Sequence, residues 1–361
     1  ASAAPELFSA PRAMQHLQVI ASEPHPQGSP AQERVCVYLA EQLSQSGLDV
    51  DIQQTSGLQN VVARLPGSDS TGAIVILAHY DSVAESPGAG DNGSAVAALV
   101  ELARVLAAGP ALRNDVIILF DDGEEEPNIF AGTKAFVRQH PWMGDVRLAI
   151  SLDTAVAGSI STNEVGPENN GWLVQALARA YTGGIWTSFS GGGQYNSTPF
   201  KEAGIKVLAL EDNYPFRQKH TAEDTPEIIR PASVQQMGDQ TQAIVLELGS
   251  LDLADPRGEQ ETFFTVPYLG LIHYPQAWSL PLAICASIFL PLALGLALRR
   301  GLASWRGLGI AFGAILATAA VSALGVSALK PLLPGLFGWQ TTAWLEWPEV
   351  IPPYGGLAVA G

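Results

Sequence analysis

Positive charge is what this sequence most lacks. Its 361 residues include 19 Lys and Arg against 35 Asp and Glu, a formal net charge of −16. Nucleic-acid binding needs a basic footprint to neutralise phosphates, so this balance argues against that class of partner. Cysteine is scarcer still. Cys36 falls in a soluble helical pattern and Cys285 in an apolar run, so the two are not expected to pair, and no disulfide framework is implied. There is no internal repeat, and no low-complexity tract beyond the Ala/Leu/Gly bias of the C-terminal tail. An initiator Met is missing too. The chain opens with "ASAAPELF", as expected of a processed or truncated N-terminus from which a signal peptide or membrane helix can have been removed.

What is present is apolar material, 47% of the chain, ample for one large domain and something more. Residues 1–255 alternate helical and strand patterns. "SPAQERVCVYLAEQLSQSG" begins with Ser29 as N-cap and Pro30 in the first turn. Val35, Leu39 and Leu43 follow at helical spacing, and Gly47 ends the helix. "LQNVVARL" and "GAIVILA" predict strands around a "PGSDSTG" turn. A helix at about 93–108, the strand "DVIILF", a helix at about 130–139 and the strand "RLAISL" come next. A helix at about 170–182, the strand "KVLAL" and a last amphipathic helix from Pro231 to about Leu251 complete the series. Short apolar strands between helices imply an α/β fold with a parallel or mixed sheet covered on both faces. Ligands in such sheets gather beyond the carboxyl ends of the strands.

Three of these strands run directly into side chains that suit a metal. His79 and Asp81 follow "IVILA", Glu124 and Glu125 follow "VIILFDDG", and Asp153 ends "LAISLD". The loop "AHYDSVAESPGAGDNGSAV" adds Asp91, and "DNYPFRQKHTAEDTPEII" places His220 before the last helix. Each signal has a plainer reading by itself. Asp91-Asn92-Gly93-Ser94 also fits a turn and helix N-cap, "GEEE" a solvated acidic run, and His220 a surface residue. Their coincidence, in order and mostly at strand ends, points to a metal centre. Zinc takes imidazole nitrogen and carboxylate oxygen, and a catalytic site keeps a position open for water. Two ions roughly 3.5–4 Å apart need a bridging carboxylate. His79, Asp91, Glu125, Asp153 and His220 divide into two His/carboxylate sets sharing one Asp, which leaves Glu124 as a general base.

The tail differs in character. Residues 278–298 and 307–329 are uncharged runs, each long enough to span a hydrocarbon core of roughly 30 Å. "RRGLASWRG" lies between them. The expected plan is a catalytic domain at 1–255, a linker at 256–277, spans at 278–298 and 307–329 around a cytoplasmic loop at 299–306, and an extracytoplasmic tail at 330–361. Arg299, Arg300 and Arg306 put the loop in the cytoplasm. The catalytic domain then faces the periplasm or cell exterior in a bacterium, or an organelle lumen in a eukaryote.

"AHYDS…GAGDNGSAVAALVELARVL", "LFDDGEEE…FAGTKAFV", "LAISLDTAVAG", "STPFKEAGIKVLAL" and "KHTAEDT" together resemble the motif series of the zinc aminopeptidases of metallopeptidase family twenty-eight. The opening "SAPRAMQHLQVIASEPHPQGSPAQERVCVYLAEQL" and the membrane tail are most similar to its endoplasmic-reticulum and vacuolar membrane members and their bacterial relatives. The resemblance covers residues 8 to about 250. It implies a three-layer αβα sandwich with a mostly parallel mixed sheet, of the zinc exopeptidase type, followed by two transmembrane helices. It further implies two zinc ions, one on His79, Asp91 and Asp153 and the other on Asp91, Glu125 and His220. Glu124 is then the base, Asp81 orients His79, and the Asp91–Asn92 peptide is cis. Peptides are the implied substrates and membrane lipid the surroundings.

Two departures from the family pattern stand out. "EEEPNIFAG" is longer than usual, so a Glu125/Glu126 frame competes with Glu124/Glu125, which Gly123 favours. Asn196 in "YNSTPF" stands where the family often has Asp, at a position expected to shape the specificity pocket. Three other functions compete with aminopeptidase activity. A carboxypeptidase of the glutamate-releasing type shares both metals, and a single-zinc glutaminyl cyclase shares the fold. An inactive scaffold ectodomain lacks ligands that are all present here.

Overall fold

The computed structural model of the chain describes residues 4, 6–125, 129–165, 169–184, 186–187, 195–212, 216–266 and 268–329. They fall into two compact units, Ala1–Tyr274 and Pro275–Gly361.

The first unit is built on a seven-stranded sheet. Its strands are β1 (Asp49–Thr55), β2 (Leu58–Leu65), β3 (Ala73–His79), β4 (Asp115–Asp121), β5 (Val146–Asp153), β6 (Ile160–Val165) and β7 (Lys206–Asp212), in the spatial order β1-β2-β4-β3-β5-β7-β6. The four central strands are parallel, and the outer pairings are antiparallel. Every residue of β3 and β4 is buried, so their apolar runs are continuous rather than alternating. Alternation survives in which layer each residue joins. Ile74, Ile76, Ala78, Val116, Ile118 and Phe120 pack into the larger core cluster, while Val75, Leu77, Ile117 and Leu119 pack into the smaller. The larger cluster takes residues from α1 (Ala10–Ile20), α2 (Pro30–Gln45), α3 (Ser94–Ala108), α5 (Gly171–Ala180) and α7 (Pro231–Leu248). Phe136 of α4 (Ala131–Gln139) and Phe200 of α6 (Thr198–Glu202) close the smaller one. The result is the three-layer αβα arrangement implied by the family motifs.

The chain differs locally from its sequence-based expectations in several places. β2 and β3 do not pair across their turn, because β4 lies between them. Asp115 at the start of β4 accepts from Arg64 Nε at 2.8 Å and from the Gly67 amide at 2.7 Å, which ties the crossing connection down. The edge strands β1 and β6 carry no apolar run; β1 reads "DVDIQQT" and buries none of its residues fully. Residues 256–277, expected to be a linker, hold a hairpin of β8 (Glu261–Val266) and β9 (Gly270–Pro275). Its anchors are Phe263, fully buried, and Glu261, whose amide donates to Asn170 Oδ1 at 2.9 Å.

The second unit contains α8 (Ser279–Arg299) and α9 (Trp305–Leu329). Gln276–Arg299 contains an 18-residue stretch of mean hydropathy 2.2 and Trp305–Ser322 has 1.4 over 18, so both are long and apolar enough to cross a membrane. No residue of α8 is buried. A helix that is apolar all round and has no protein cover suits hydrocarbon as its solvent. Residues 300–304 join the two helices, a shorter connection than the 299–306 loop of the sequence, and the expected tail at 330–361 lies outside the described residues.

Candidate metal centre

Parallel strands bring their carboxyl ends to one edge, and that edge carries the candidate side chains. His79 closes β3 opposite Asp121, the last residue of β4, and Asp153 closes β5 opposite Glu211 of β7. Asp91 lies in the irregular stretch Ala89–Gly93 ahead of α3, and its peptide bond to Asn92 is cis. Glu124 and Glu125 follow β4 after Gly123, which has φ of 70°. That conformation favours glycine, and a Cβ there would also have to shift Leu58 Cδ2, 2.7 Å away. His220 occupies the segment before α7, with φ of 60°.

Asp91 stands at the middle of the group. Its Oδ1 lies 3.6 Å from His79 Nε2, and its Oδ2 lies 3.1 Å from His220 Nε2. His220 Nε2 is also 3.1 Å from Glu125 Oε2, and His79 Nε2 is 3.8 Å from Glu124 Oε2. Donor atoms of His79, Asp91 and Asp153 lie within 4.8 Å of one another, as do those of Asp91, Glu125 and His220. His79, Glu124 and Glu125 meet the same criterion, so proximity alone does not separate base from ligand. Glu126, the competing partner, lies outside the described residues.

Asp81 ties two strand ends together. Its Oδ1 accepts the Glu124 amide at 3.1 Å and its Oδ2 the Glu125 amide at 3.2 Å, while Oδ1 also lies 3.5 Å from His79 Nδ1. A single buried carboxylate therefore registers the imidazole against both glutamates. Asn92 plays a comparable part. Its Nδ2 donates to Leu152 O at 2.9 Å and its Oδ1 accepts the Thr154 amide at 3.0 Å, gripping the backbone on either side of Asp153. Asn196, at the position expected to shape the specificity pocket, is buried with its amide facing the Asp121 carboxylate at 3.3 Å.

The electrostatics are those of crowded buried carboxylates. Burial, reinforced by the charges of Asp91, Asp153 and Glu125, pushes the Glu124 carboxyl up to about 8. Burial likewise raises Asp153. It favours neutral Asp91 as well, but Lys219, His220 and His79 outweigh it and hold that carboxyl well below the usual range. Its bonds to Asp91 and Glu125 raise His220 to about 10.

The donor set fits divalent cations. Asp91 Oδ1 and Asp153 Oδ1 are buried without a hydrogen-bond partner, and an unpaired buried carboxylate oxygen is costly unless a cation compensates it. The Lys219 ammonium stands 2.9 Å from Asp91 Oδ2, supplying positive charge where the carboxylates converge. Every available donor is imidazole nitrogen or carboxylate oxygen, as zinc accepts. Neither Lys219 nor Asn92 is evident as a site residue in the sequence. Their only signal is adjacency, to His220 and Asp91.

Residues 60–245 match the profile described as Peptidase family M28. Mouse endoplasmic reticulum metallopeptidase 1 is 31% identical, over 74% of this chain and 34% of its own length. The vacuolar membrane protease of Candida albicans strain WO-1 is 32% identical, over 61% of this chain and 28% of its own. The chain thus spans about a third of the length of these curated relatives or less. Among solved structures, a zinc aminopeptidase from Bacillus subtilis superposes with a TM-score of 0.60 at 17% identity, covering 70% of this chain and 98% of that one.

Proposed function

Because the chain belongs to peptidase family M28, we propose that it is a membrane-anchored exopeptidase that holds two zinc ions and removes N-terminal residues from peptides. The observation that carries this reading is the division of Asp91, one oxygen facing His79 and the other His220. His79, Asp91 and Asp153 hold one ion, and Asp91, Glu125 and His220 the other. When bound, the pair supplies Lewis acidity and water activation. Glu124 is the general base. It takes a proton from the water whose oxygen bonds to the scissile carbonyl carbon, and delivers one to the amine nitrogen as the C–N bond breaks. A carboxylate 3.8 Å from His79 Nε2, beside the ligand set, is placed to accept a proton and return it. Asp81 holds His79 and the two glutamate amides in register.

The apolar helices α8 and α9 anchor the chain, and Arg299, Arg300 and Arg306 place the turn between them in the cytoplasm. The peptidase unit then works on the opposite side. Protease added outside intact cells or spheroplasts should clip it, and protection until the inner membrane is lysed would reverse the orientation.

The activity is tested with the full chain in detergent, by metal analysis alongside hydrolysis of free aminoacyl anilides, amino-blocked peptides and peptides with a C-terminal glutamate. Two zinc ions per chain and cleavage of only the free-amine substrates are expected. Release of C-terminal glutamate alone would assign a carboxypeptidase, and a single zinc with cyclisation of N-terminal glutamine a cyclase.

A further inference from the structure

Lys219 and His220 meet the Asp91 side chain, but the backbone of the Asp91 segment is bonded by a third residue, 134 positions from Gly90. Asp224, four positions after His220, is fully buried. Its Oδ1 accepts the Gly90 amide at 2.6 Å and its Oδ2 the Asp91 amide at 3.2 Å. Ser86 Oγ lies 3.5 Å from Oδ2, and the Asp224 carbonyl accepts the Ala89 amide at 3.2 Å. Three consecutive amides, of Ala89, Gly90 and Asp91, are thus satisfied by this one residue. The fit is close on the other side as well. A Cβ at Gly90 would stand 2.4 Å from Phe216 Cζ and 3.0 Å from Asp224 Oδ1, so a larger residue there would have to displace the Phe216 ring.

We infer that Asp224 is a positioning residue that sets the distance between Asp91 and His220, and so the affinity of the ligand set they share. It touches neither substrate nor the reacting atoms. The physical reason is that Asp91 and His220 are carried by irregular segments with no ladder between them. Backbone amides held by both oxygens of a buried carboxyl group replace the missing ladder with side-chain hydrogen bonds. Outer partners of this kind typically change metal affinity by about 10–100-fold when removed. The inference rests on the proposed ligand roles of Asp91 and His220, but its geometric part does not.

Full-length Asp224→Ala and Asp224→Asn proteins separate these. In metal-free protein, amide hydrogen exchange over residues 86–93 should accelerate in both variants, and more in Asp224→Ala. Zinc titration against a chromophoric chelator should show one of the two ions weakened about 10–100-fold in Asp224→Ala. Asn retains one acceptor oxygen, so Asp224→Asn should recover part of that loss, which a general fault in folding would not allow. Unchanged exchange, or zinc affinities within twofold of the parent, overturns the inference. A parent that binds fewer than two ions overturns the di-zinc reading instead, and the exchange measurement still decides whether Asp224 holds the loop.

Discussion

The two proposed ligand sets share Asp91 and draw on the same donor types, yet the protein supports them differently. His79 and Asp153 are the terminal residues of central parallel strands, and the His79 side chain is 2% exposed. Glu125 and His220 lie in irregular segments, and the His220 side chain is 44% exposed. One set inherits its geometry from the sheet. The other depends on hydrogen bonds between loops, with Asp81 gripping the Glu125 amide and Asp224 the Asp91 amide. Equal ligand chemistry on unequal supports should give two unequal affinities, because segments without ladder bonds open at lower cost.

The harshest way to break the comparison is to remove what the sets share. Asp91→Ala should abolish binding of both ions and cut turnover by roughly 10³–10⁵-fold, the loss of several kcal/mol of charge stabilisation. Metal analysis and anilide hydrolysis measure it, and one ion retained at parental affinity would deny Asp91 its bridging place. Next comes Glu124→Gln, expected to lower turnover by about 10²–10⁴-fold with both ions retained. Glu125→Gln should instead lose one ion. Exchanged phenotypes, or a loss of turnover that moves to Glu126, would shift the frame by one residue.

A third experiment ranks the sets directly. His220→Ala and His79→Ala should each weaken one ion by about 10–100-fold or more. In the parent, a chelator should strip the His220 side first, in two resolved steps. A single step would mean that the sheet confers no advantage. The smallest effect belongs to Lys219, whose ammonium lies 2.9 Å from Asp91 Oδ2 and competes with a metal for that oxygen. The lysine is 45% exposed and Asp91 2%, so solvent screens the pair from one side only and its worth is about 1 kcal/mol, the upper end for screened pairs. Lys219→Ala should therefore tighten zinc binding by no more than about fivefold by isothermal titration. Weaker binding would assign the lysine a supporting role.

Legibility in the sequence followed local pattern. The strands that could be read, such as "IVILA" and "VIILF", are those buried on both faces, where an uninterrupted apolar run is the physical requirement. β1, β6 and the hairpin were not: β1 buries no side chain fully, and β6 reads "ISTNEV", polar between its two end residues, so neither leaves an apolar run. Helices tell a similar story. α3 is rich in Ala and Leu, as α8 is, but Glu101 and Arg104 interrupt it; Glu101 is buried against Arg12 and Arg104. Uncharged length, not apolar composition, is what separates the two.

On its own, the sequence determined the kind of chemistry at hand. His79, Glu124, Glu125 and Asp153 each follow directly from a strand, and an apolar run of strand length ends where its backbone leaves the sheet. It also marked α8 and α9 as long and apolar enough to cross a membrane, since twenty uncharged residues need no partner to be recognised. Only the tertiary structure decided which strands are neighbours, that Asp91 faces both imidazoles, and that Asn92 and Asp224 hold backbone 60 and 134 positions away. Those contacts are a few hydrogen bonds across long stretches of chain. No periodicity or spacing encodes them, because the partners meet only after the sheet has brought their loops to one edge.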